Sequence, residues 1–164
     1  ATTLGVSGID TTYDLYHLSI TGLKSGRASG TIQWRMRVGD SGGIISSGTD
    51  YHNHVGKEIS STTGYDGAII NGGDHWIVSD YIHNAAESLG GWNFFIGRTS
   101  QTISCNGTIA LPFIYDGAEG AIGGWFAALY KPSSSFALTQ LQIHMSEAGN
   151  IPEGRMTLWG IAHS

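Results

Sequence analysis

Apolar and polar residues alternate along several short stretches of this chain, and a period of two is typical of β-strands with one buried face. The clearest stretch is 31–38, in which every second side chain is apolar and the intervening ones are polar. The stretches 13–20 and 138–145 alternate in the same way. Within 31–38, the side chains predicted to be buried are Ile32, Trp34, Met36 and Val38.

The segment 154–162 has the composition of a further strand, near the end of the sequence. Alternation places Met156 and Leu158 on one of its faces. Trp159 and Ile161 lie on the other, so both faces carry apolar side chains. We therefore expect both faces to be covered, by a second sheet or by another subunit, because a free apolar edge promotes aggregation.

Other parts of the chain predict shorter strands separated by turns. Asn106-Gly107 is a favoured hairpin dipeptide, so 102–115 is expected to form one or two strands around it, with Pro112 at an edge or a bulge. A covered central strand is predicted at 125–130, which is apolar on both faces. Further strands are predicted at 44–45, 51–55, 76–78 and 91–97. One helical turn is predicted at 84–89. Residues 1–12 are predicted to be a lead-in, and 116–124 a glycine-rich turn. Residues 56–75 are predicted to form either a long connection or short strands with loops.

About eight strands at irregular spacing, without a long helix, predict an all-β fold. We expect an antiparallel β-sandwich, jelly-roll-like, in which 1–164 forms a single domain. The chain has 164 residues and 25 glycines, and charged residues are only 13%, which fits many strands joined by tight turns under a weakly charged surface. At this length, folding buries roughly 69% of the surface that the unfolded chain exposes.

Charge and composition exclude several classes of function. The net charge is −5 and no basic residues cluster, so no nucleic-acid partner is expected. No apolar run is long enough to cross a bilayer, so no membrane insertion is expected. The single cysteine, Cys105, excludes a disulfide within the chain and is predicted to be a small buried hydrophobe. No glycine-rich phosphate loop leads into a helix, and no cofactor is expected.

Catalysis finds little support in the sequence. Gly39-Asp40-Ser41-Gly42-Gly43 has the Gly-x-Ser-x-Gly spacing, but Ser-Gly-Gly at 41–43 lacks the structural context of a nucleophile elbow. The acids are few, and most of the glutamates lie in predicted loops. Two carboxylates that are remote in sequence could still meet to cleave a sugar, so that alternative stays open. We predict that the protein is not an enzyme.

Histidines at alternate positions form a candidate metal site. Asp50, His52 and His54 would share one face of a strand. Neutral imidazoles at this spacing can converge on zinc or iron, so His52 and His54 are candidate ligands. The alternative is an ordinary polar strand face that carries two histidines.

Aromatic and polar residues near two predicted loops form a candidate sugar site. Aromatic rings stack on sugar rings, and nearby carboxylate, amide and imidazole groups bond the hydroxyls. The predicted ligand-binding residues are Asp74, His75, Trp76, Tyr51 and Asn53. The alternative for Trp76 is a core position at the start of an apolar strand, and Trp34 and Trp125 are assigned to the core.

Two motifs near the ends of the chain carry a resemblance to a known family. The first is G-I-D-T-T-Y-D-L-Y at 8–16, and the second is G-R-M-T-L-W-G-I at 154–161. Together they resemble the first and last strands of small virion proteins of tailed bacteriophages and prophages, of the tail-fibre, tail-tip, head-fibre or decoration type. Trp159 stands where that pattern more often has tyrosine.

The resemblance implies a β-sandwich on the surface of the virion, in a trimeric or otherwise multimeric assembly with other virion proteins. It also implies a non-enzymatic role, the binding of a host cell-surface receptor, for which a glycan is favoured over a protein. Multivalent attachment would make weak sites strong in total. The alternatives are a free-standing carbohydrate-binding module or lectin, and a glycan-degrading enzyme.

Overall fold

The computed structural model describes residues 1–26, 31–59, 65–83, 90–99, 101–115 and 118–162. These residues form twelve strands and no helix. The strands are β1 (Thr3–Ser7), β2 (Leu15–Leu23), β3 (Thr31–Asp40), β4 (Gly43–Ile44), β5 (Tyr51–Ile59), β6 (Tyr65–Gly73), β7 (Trp76–His83), β8 (Gly90–Arg98), β9 (Ile103–Tyr115), β10 (Ala118–Tyr130), β11 (Gln140–Met145) and β12 (Arg155–Ile161).

The strands build two antiparallel sheets. The five-stranded sheet has the order β1-β11-β3-β4, and β7 also pairs with β3. The seven-stranded sheet has the order β12-β2-β8-β9-β10-β5-β6. The chain crosses between the sheets repeatedly, since β1 and β3 belong to the first sheet and β2 to the second. The predicted all-β antiparallel sandwich is confirmed.

Alternation decides which side chains enter the space between the sheets, because successive residues of a strand point to opposite faces. The predicted inward positions of β3 and β11 are confirmed. They are Trp34, Met36, Val38, Leu141, Ile143 and Met145, all buried. The side chain of Ile32, predicted to join them, lies outside the described part. Aromatic side chains fill much of the core, and the largest fully buried ones are Trp76, Trp92, Tyr51, Phe94 and Phe126.

Polar atoms of β5 form hydrogen bonds across the apolar interior to the other sheet. The Tyr51 hydroxyl accepts a hydrogen bond from the Val38 amide at 3.0 Å and donates one to the Ile45 carbonyl at 2.9 Å. The Asn53 amide donates to the Ile77 carbonyl at 3.1 Å, and its oxygen accepts from the Ile77 amide at 3.0 Å. Asn53 thus pairs with the main chain of β7 as a strand residue would.

Two indoles complete this set of bonds. The Trp76 Nε1 donates to the Leu129 carbonyl of β10 at 3.0 Å. The Trp92 Nε1 of β8 donates to the Val78 carbonyl of β7 at 3.2 Å. Because a buried polar group without a partner costs free energy, these bonds allow indoles to occupy the centre of the core.

The number of strands was underestimated. The predicted lead-in 1–12 contains β1, and most of the predicted turn 116–124 belongs to β10. The segment 56–75 contains the last residues of β5 and all of β6, which agrees with short strands and not with one long connection. The glycines of β5, β6 and β10 do not interrupt pairing, because the neighbouring strands supply the hydrogen bonds that hold them extended. The helical turn predicted at 84–89 lies outside the described residues.

Of the one or two strands predicted around Asn106-Gly107, the structure has one, because β9 runs straight through the dipeptide without a hairpin turn. A Cβ at Gly107 would overlap the Asn93 carbonyl oxygen, so this glycine permits a close approach between strands. Among the described residues, the pairing of β9 with β8 ends at Ala110, and Pro112 pairs with Ala121 of β10. Within that part of the chain, its position is compatible with the predicted edge.

The two end motifs meet in the structure. β12 is the edge strand of the seven-stranded sheet, and β2 is its neighbour. The ring of Tyr13 lies against Gly160, where a Cβ would overlap it. Met156 and Leu158 pack against the core as predicted, but Trp159 is 48% exposed. The expected cover on both faces of this strand is therefore not provided by the described part of the chain.

Cys105 lies in the core at 1% exposure, as predicted, and burial raises the pKa of its thiol. Among the described residues, no helix has the length and apolar character needed to cross a lipid bilayer.

Replacing Asn53 by leucine tests the bonds between the sheets. Leucine has a similar size but leaves the Ile77 amide and carbonyl unpaired in the interior. Each such group costs about 1–3 kcal/mol, so we expect the free energy of unfolding to fall by about 2–5 kcal/mol. Urea unfolding followed by tryptophan fluorescence measures the change.

The matched control is the same substitution at Asn93, which is exposed on the outside of the seven-stranded sheet. It should change the free energy of unfolding by less than about 0.5 kcal/mol. Equal losses in the two variants would contradict the role given to Asn53.

Candidate functional site

One surface gathers the exposed large hydrophobic side chains of the described residues. All four lie on the outer face of the seven-stranded sheet, and they are Ile69 (72% exposed), Trp159 (48%), Phe95 (44%) and Trp125 (41%). Together with His17 and His54 they form what we call the aromatic face. Large apolar side chains that are exposed together on one face of a soluble protein mark an interaction site.

Strand register explains why these residues meet. Trp159, His17 and Phe95 are direct neighbours on β12, β2 and β8. The same row continues through β9 and β10 to His54 and Ile69 on β5 and β6. Neighbouring strands are about 4.8 Å apart, so this row crosses the whole sheet over about 29 Å.

The β12 end of the row is a stack of three rings. The His17 ring lies 5.2 Å from the ring of Phe95 at an angle of 26°, and 5.2 Å from the ring of Trp159 at 19°. His17 is thus held between two aromatic faces. Cross-strand pairs of this kind add about 0.2–1 kcal/mol each, and here they fix the orientation of exposed rings.

The β5 end of the row is a shallow groove beside Trp125. The ring of Trp125 lies 4.7 Å from that of His54 at 79°. Gly56 is the cross-strand partner of Trp125 on β5, and the absent side chain leaves room for the indole. The groove has a volume of about 470 Å³, and its outward lining residues are His52, His54, Ile69, Asn71, Ala127 and Leu129.

The predicted metal ligands line this groove. His52 and His54 share the outer face of β5, as alternation predicts. The Nδ1 of His52 lies 2.9 Å from Oδ1 of Asn71, so Nδ1 donates and Nε2 is left to accept. Within the described residues, no group of three or more His, Cys, Asp or Glu side chains is arranged to hold a metal ion. Two imidazoles and an amide are better suited to bonding hydroxyl groups.

The centre of the aromatic face carries no acidic residue and no lysine or arginine. Three adjacent rows of cross-strand partners begin on β12, at Thr157, Trp159 and Ile161. No residue in these rows is Asp, Glu, Lys or Arg. Asn93, Asn106 and similar small polar residues lie between the rings. This surface can offer ring faces and neutral hydrogen-bonding groups, which suits an uncharged ligand.

Three of the predicted ligand-binding residues lie in the core. Tyr51 and Trp76 are 0% exposed and Asn53 is 5% exposed. Their polar atoms already bond across the sandwich, so they have no surface to present to a ligand. Burial raises the pKa of the Tyr51 hydroxyl.

The other two, Asp74 and His75, lie at the turn between β6 and β7 beside the five-stranded sheet. Asp74 Oδ2 accepts from Arg37 Nη2 at 2.8 Å, and Asp74 Oδ1 lies 2.5 Å from His75 Nδ1. Desolvation alone would raise the pKa of Asp74, but the bonds and charges of His75 and Arg37 bring the pKa below its usual range. Burial lowers the pKa of His75, so Nδ1 donates to Asp74 as a neutral imidazole near pH 7.

His144 lies next to this pair. Its ring is 6.3 Å from the ring of His75 at 81°. Burial, followed by the charges of Arg37, His75 and Arg35, lowers the pKa of His144 to about 4. We call Arg35, Arg37, Asp74, His75 and His144 the basic cluster. It lies on the opposite sheet from the aromatic face.

Trp125 shows what sequence reasoning missed. It was assigned to the core because 125–130 is apolar at every position, yet it lies on the surface. Phe126 and Tyr130 of the same strand are buried, so one face of the strand packs in the core. The prediction that its second face is covered as well was wrong. Four exposed apolar residues on four strands of one sheet give no signal until the strand order is known.

No known protein family and no curated protein sequence matches this chain. Among solved structures, the CBM2 module of Lactobacillus casei BL23 phage J-1 evolved Dit is similar to it at 11% sequence identity and a TM-score of 0.25. The similarity covers 89% of this chain and 70% of that one. A similarity at this TM-score carries no argument about what the present chain binds.

The basic cluster predicts a loss of stability in acid. The pKa of His144 is near 4 in the folded state and about 6.5 when unfolded, so the unfolded chain binds more protons between these values. We expect the free energy of unfolding to fall as the pH falls from 6.5 to 4. The lowered pKa of Asp74 adds a second loss below about pH 3.8, where this carboxyl takes up a proton in the unfolded chain.

Replacing His144 by glutamine removes the first of these losses and should weaken the dependence of stability on pH between 6.5 and 4, while the lowered pKa of His75 retains part of that dependence. Urea unfolding at half-unit pH steps measures it. The matched control, His54→Gln on the exposed face of the other sheet, should keep the wild-type dependence. If His144→Gln also keeps it, the burial of this imidazole is not its cause.

Proposed function

We propose that this chain is a non-enzymatic binding domain whose aromatic face holds a neutral glycan of a host cell surface. The observation that carries the proposal is the collection of every exposed large hydrophobic side chain of the described residues on one face of one sheet. Ring faces pack on the C–H surfaces of sugars, while imidazole and amide groups bond the hydroxyls.

The groove beside Trp125 is the best-supported position for the sugar. It combines an indole that is 41% exposed with the imidazoles of His52 and His54 and the amide of Asn71. Its floor includes Ala127, whose small side chain gives access to the sheet. A shallow groove with fixed polar groups suits a ligand that approaches as part of a larger surface, and it leaves most of the sugar exposed to solvent.

The proposed role is binding without catalysis. Sugar cleavage by the usual mechanism needs a pair of carboxylates, and the three central rows of the aromatic face contain none. The thiol of Cys105 is buried and its pKa is raised, which also disfavours it as a nucleophile.

We further propose that the chain belongs to a phage virion and assembles with itself, as a trimer, through the β12 end of the aromatic face. The resemblance of the two end motifs to phage virion proteins supports the first part. The second is supported by Trp159, which is half exposed on an edge strand. Repeated copies of a weak glycan site would then give strong total attachment.

Replacing Trp125 by alanine tests the glycan site. A packed aromatic ring contributes about 0.5–1.5 kcal/mol beyond its buried area, so we expect affinity to fall about threefold to tenfold. A panel of immobilised neutral oligosaccharides identifies ligands, and calorimetric titration of the strongest one measures the change.

Gln142→Ala, on the outer face of the other sheet, is the control and should bind as the wild type does. Trp125→Phe should retain part of the affinity. A panel without any ligand, or a ligand that binds Trp125→Ala at full strength, contradicts the proposed site.

Light scattering on a sizing column tests self-assembly. We expect three times the mass of one chain, and a lower mass for Trp159→Ser, because serine removes the apolar contact at the edge strand. Trp125→Ala is the control and should keep the wild-type mass. A wild-type monomer would favour the second candidate, a free-standing carbohydrate-binding module, over the virion assembly.

A further inference from the structure

A cavity lies at one end of the sandwich and shares no residue with the aromatic face. The connections β1–β2, β8–β9 and β10–β11 meet at this end, since β2 begins beside the end of β8 and β9 begins beside the end of β10. The volume of the cavity is about 420 Å³, within the range of about 300–1,000 Å³ that is usual for ligand pockets. Connections held by a rigid scaffold are a common place for binding sites.

Main-chain hydrogen bonds hold the walls of this cavity in place. The Ile9 amide donates to the Thr139 carbonyl at 3.0 Å, which joins the β1–β2 connection to the β10–β11 connection. The Arg98 amide donates to the Asp14 carbonyl at 2.9 Å, which joins the end of β8 to the β1–β2 connection. The cavity is therefore formed before any ligand arrives, so binding costs little ordering of the loops.

Two opposite charges line the cavity without pairing to each other. The Nε of Arg98 donates to the Tyr13 carbonyl at 2.8 Å, which fixes the guanidinium group. The two Nη atoms of Arg98 make no hydrogen bond or ion pair within the described residues, and they are not fully buried, so a ligand can reach them. The exposed carboxylate of Asp14 also has no hydrogen-bond or ion-pair partner in that part of the chain. One cavity thus offers an available donor and an available acceptor.

An aromatic ring forms another part of the lining. Phe136 is half-buried, and its ring lies 4.9 Å from the ring of Tyr130 at 64°. This contact orients the Phe136 ring, part of which stays exposed in the cavity. The exposed residues Thr11 and Ser135 add hydroxyl groups, which are neutral and both donate and accept.

We propose that this cavity binds a neutral sugar residue, with two neighbouring hydroxyl groups between Arg98 and Asp14 and the C–H surface of the sugar against Phe136. A guanidinium group only donates hydrogen bonds and a carboxylate only accepts them, whereas a hydroxyl does both. One sugar hydroxyl accepts from Arg98 and its neighbour donates to Asp14, in charge-assisted bonds that are stronger than neutral ones. The two charges of the lining sum to zero, which disfavours a ligand with a net charge.

This site is independent of the groove beside Trp125, because the two have no residue in common. Its failure would leave the proposed function in place, and failure of the groove would leave this site in place. A second weak sugar site on each chain would add to multivalent attachment.

Nuclear magnetic resonance of the ¹⁵N-labelled protein tests the proposal. The methyl glycosides of glucose, galactose and mannose are titrated separately, and glycylglycine serves as a zwitterionic probe that also matches one positive and one negative group. We expect saturable shifts of the Thr99 and Ala137 amides and of the Arg98 Nε–H signal with at least one glycoside. Tighter binding of glycylglycine than of every glycoside would assign a zwitterionic ligand and overturn the proposal.

Two variants remove the charged groups. Asp14→Ala deletes a carboxylate that makes no bond within the described fold, so we expect a native-like spectrum and about tenfold weaker binding of the best glycoside. Arg98→Gln should weaken binding to a similar extent, although it also loses the bond to Tyr13. The matched control is Glu153→Ala, which removes an exposed carboxylate at the opposite end of the sandwich and should bind the glycoside as the wild type does.

The indole N–H signal of Trp125 reports the groove in the same titration. Glycoside shifts confined to that signal would support the proposed function and overturn the site at the end of the sandwich. The site is also overturned if no glycoside gives saturable shifts at Thr99 and Ala137, or if Asp14→Ala and Arg98→Gln, with native-like spectra, bind as the wild type does. Equal loss in Glu153→Ala would show that overall charge governs binding, and it would overturn the assignment to this cavity.

Discussion

The two sheets depend on polar atoms that find partners across an apolar interior. Asn53 reaches from β5 to both main-chain groups of Ile77, and the indoles of Trp76 and Trp92 each donate to a carbonyl of the facing sheet. Hydrophobic burial alone has no direction and would tolerate sliding of one sheet over the other. Hydrogen bonds with defined geometry set the relative position of the sheets, and with it the surfaces outside them.

Those outer surfaces have opposite chemistry. One carries neutral rings and amides, and the other carries guanidinium, imidazole and carboxylate groups. Each is assembled from strands that are distant in the sequence: Arg37, Asp74 and His144 span more than half of the chain, as do His17 and Trp159. Neither surface could be predicted from the sequence, because spacing along a chain carries no information on which strands become neighbours.

The tryptophans show how much of the burial the alternation of apolar and polar residues can predict. Alternation placed Trp34 correctly in the core, because one face of β3 is polar and the other apolar. It gave no means to tell that Trp76 is buried and Trp125 exposed, since both lie in apolar stretches and cover depends on the facing sheet. At Gly107, pairing of β9 with strands on both sides outweighs the local preference for a turn. The missing side chain of Gly107 permits the close approach to Asn93 that this pairing requires.

The single cysteine gives the chain a convenient chemical property. Cys105 is 1% exposed and its thiol is held in the protonated form, so a thiol-directed reagent reaches it only when the core opens. The rate of its modification therefore reports opening of the sandwich in the unsubstituted protein. A cysteine introduced on either outer face would be the one reactive thiol of the native protein, which allows a dye or a surface to be attached at a chosen side.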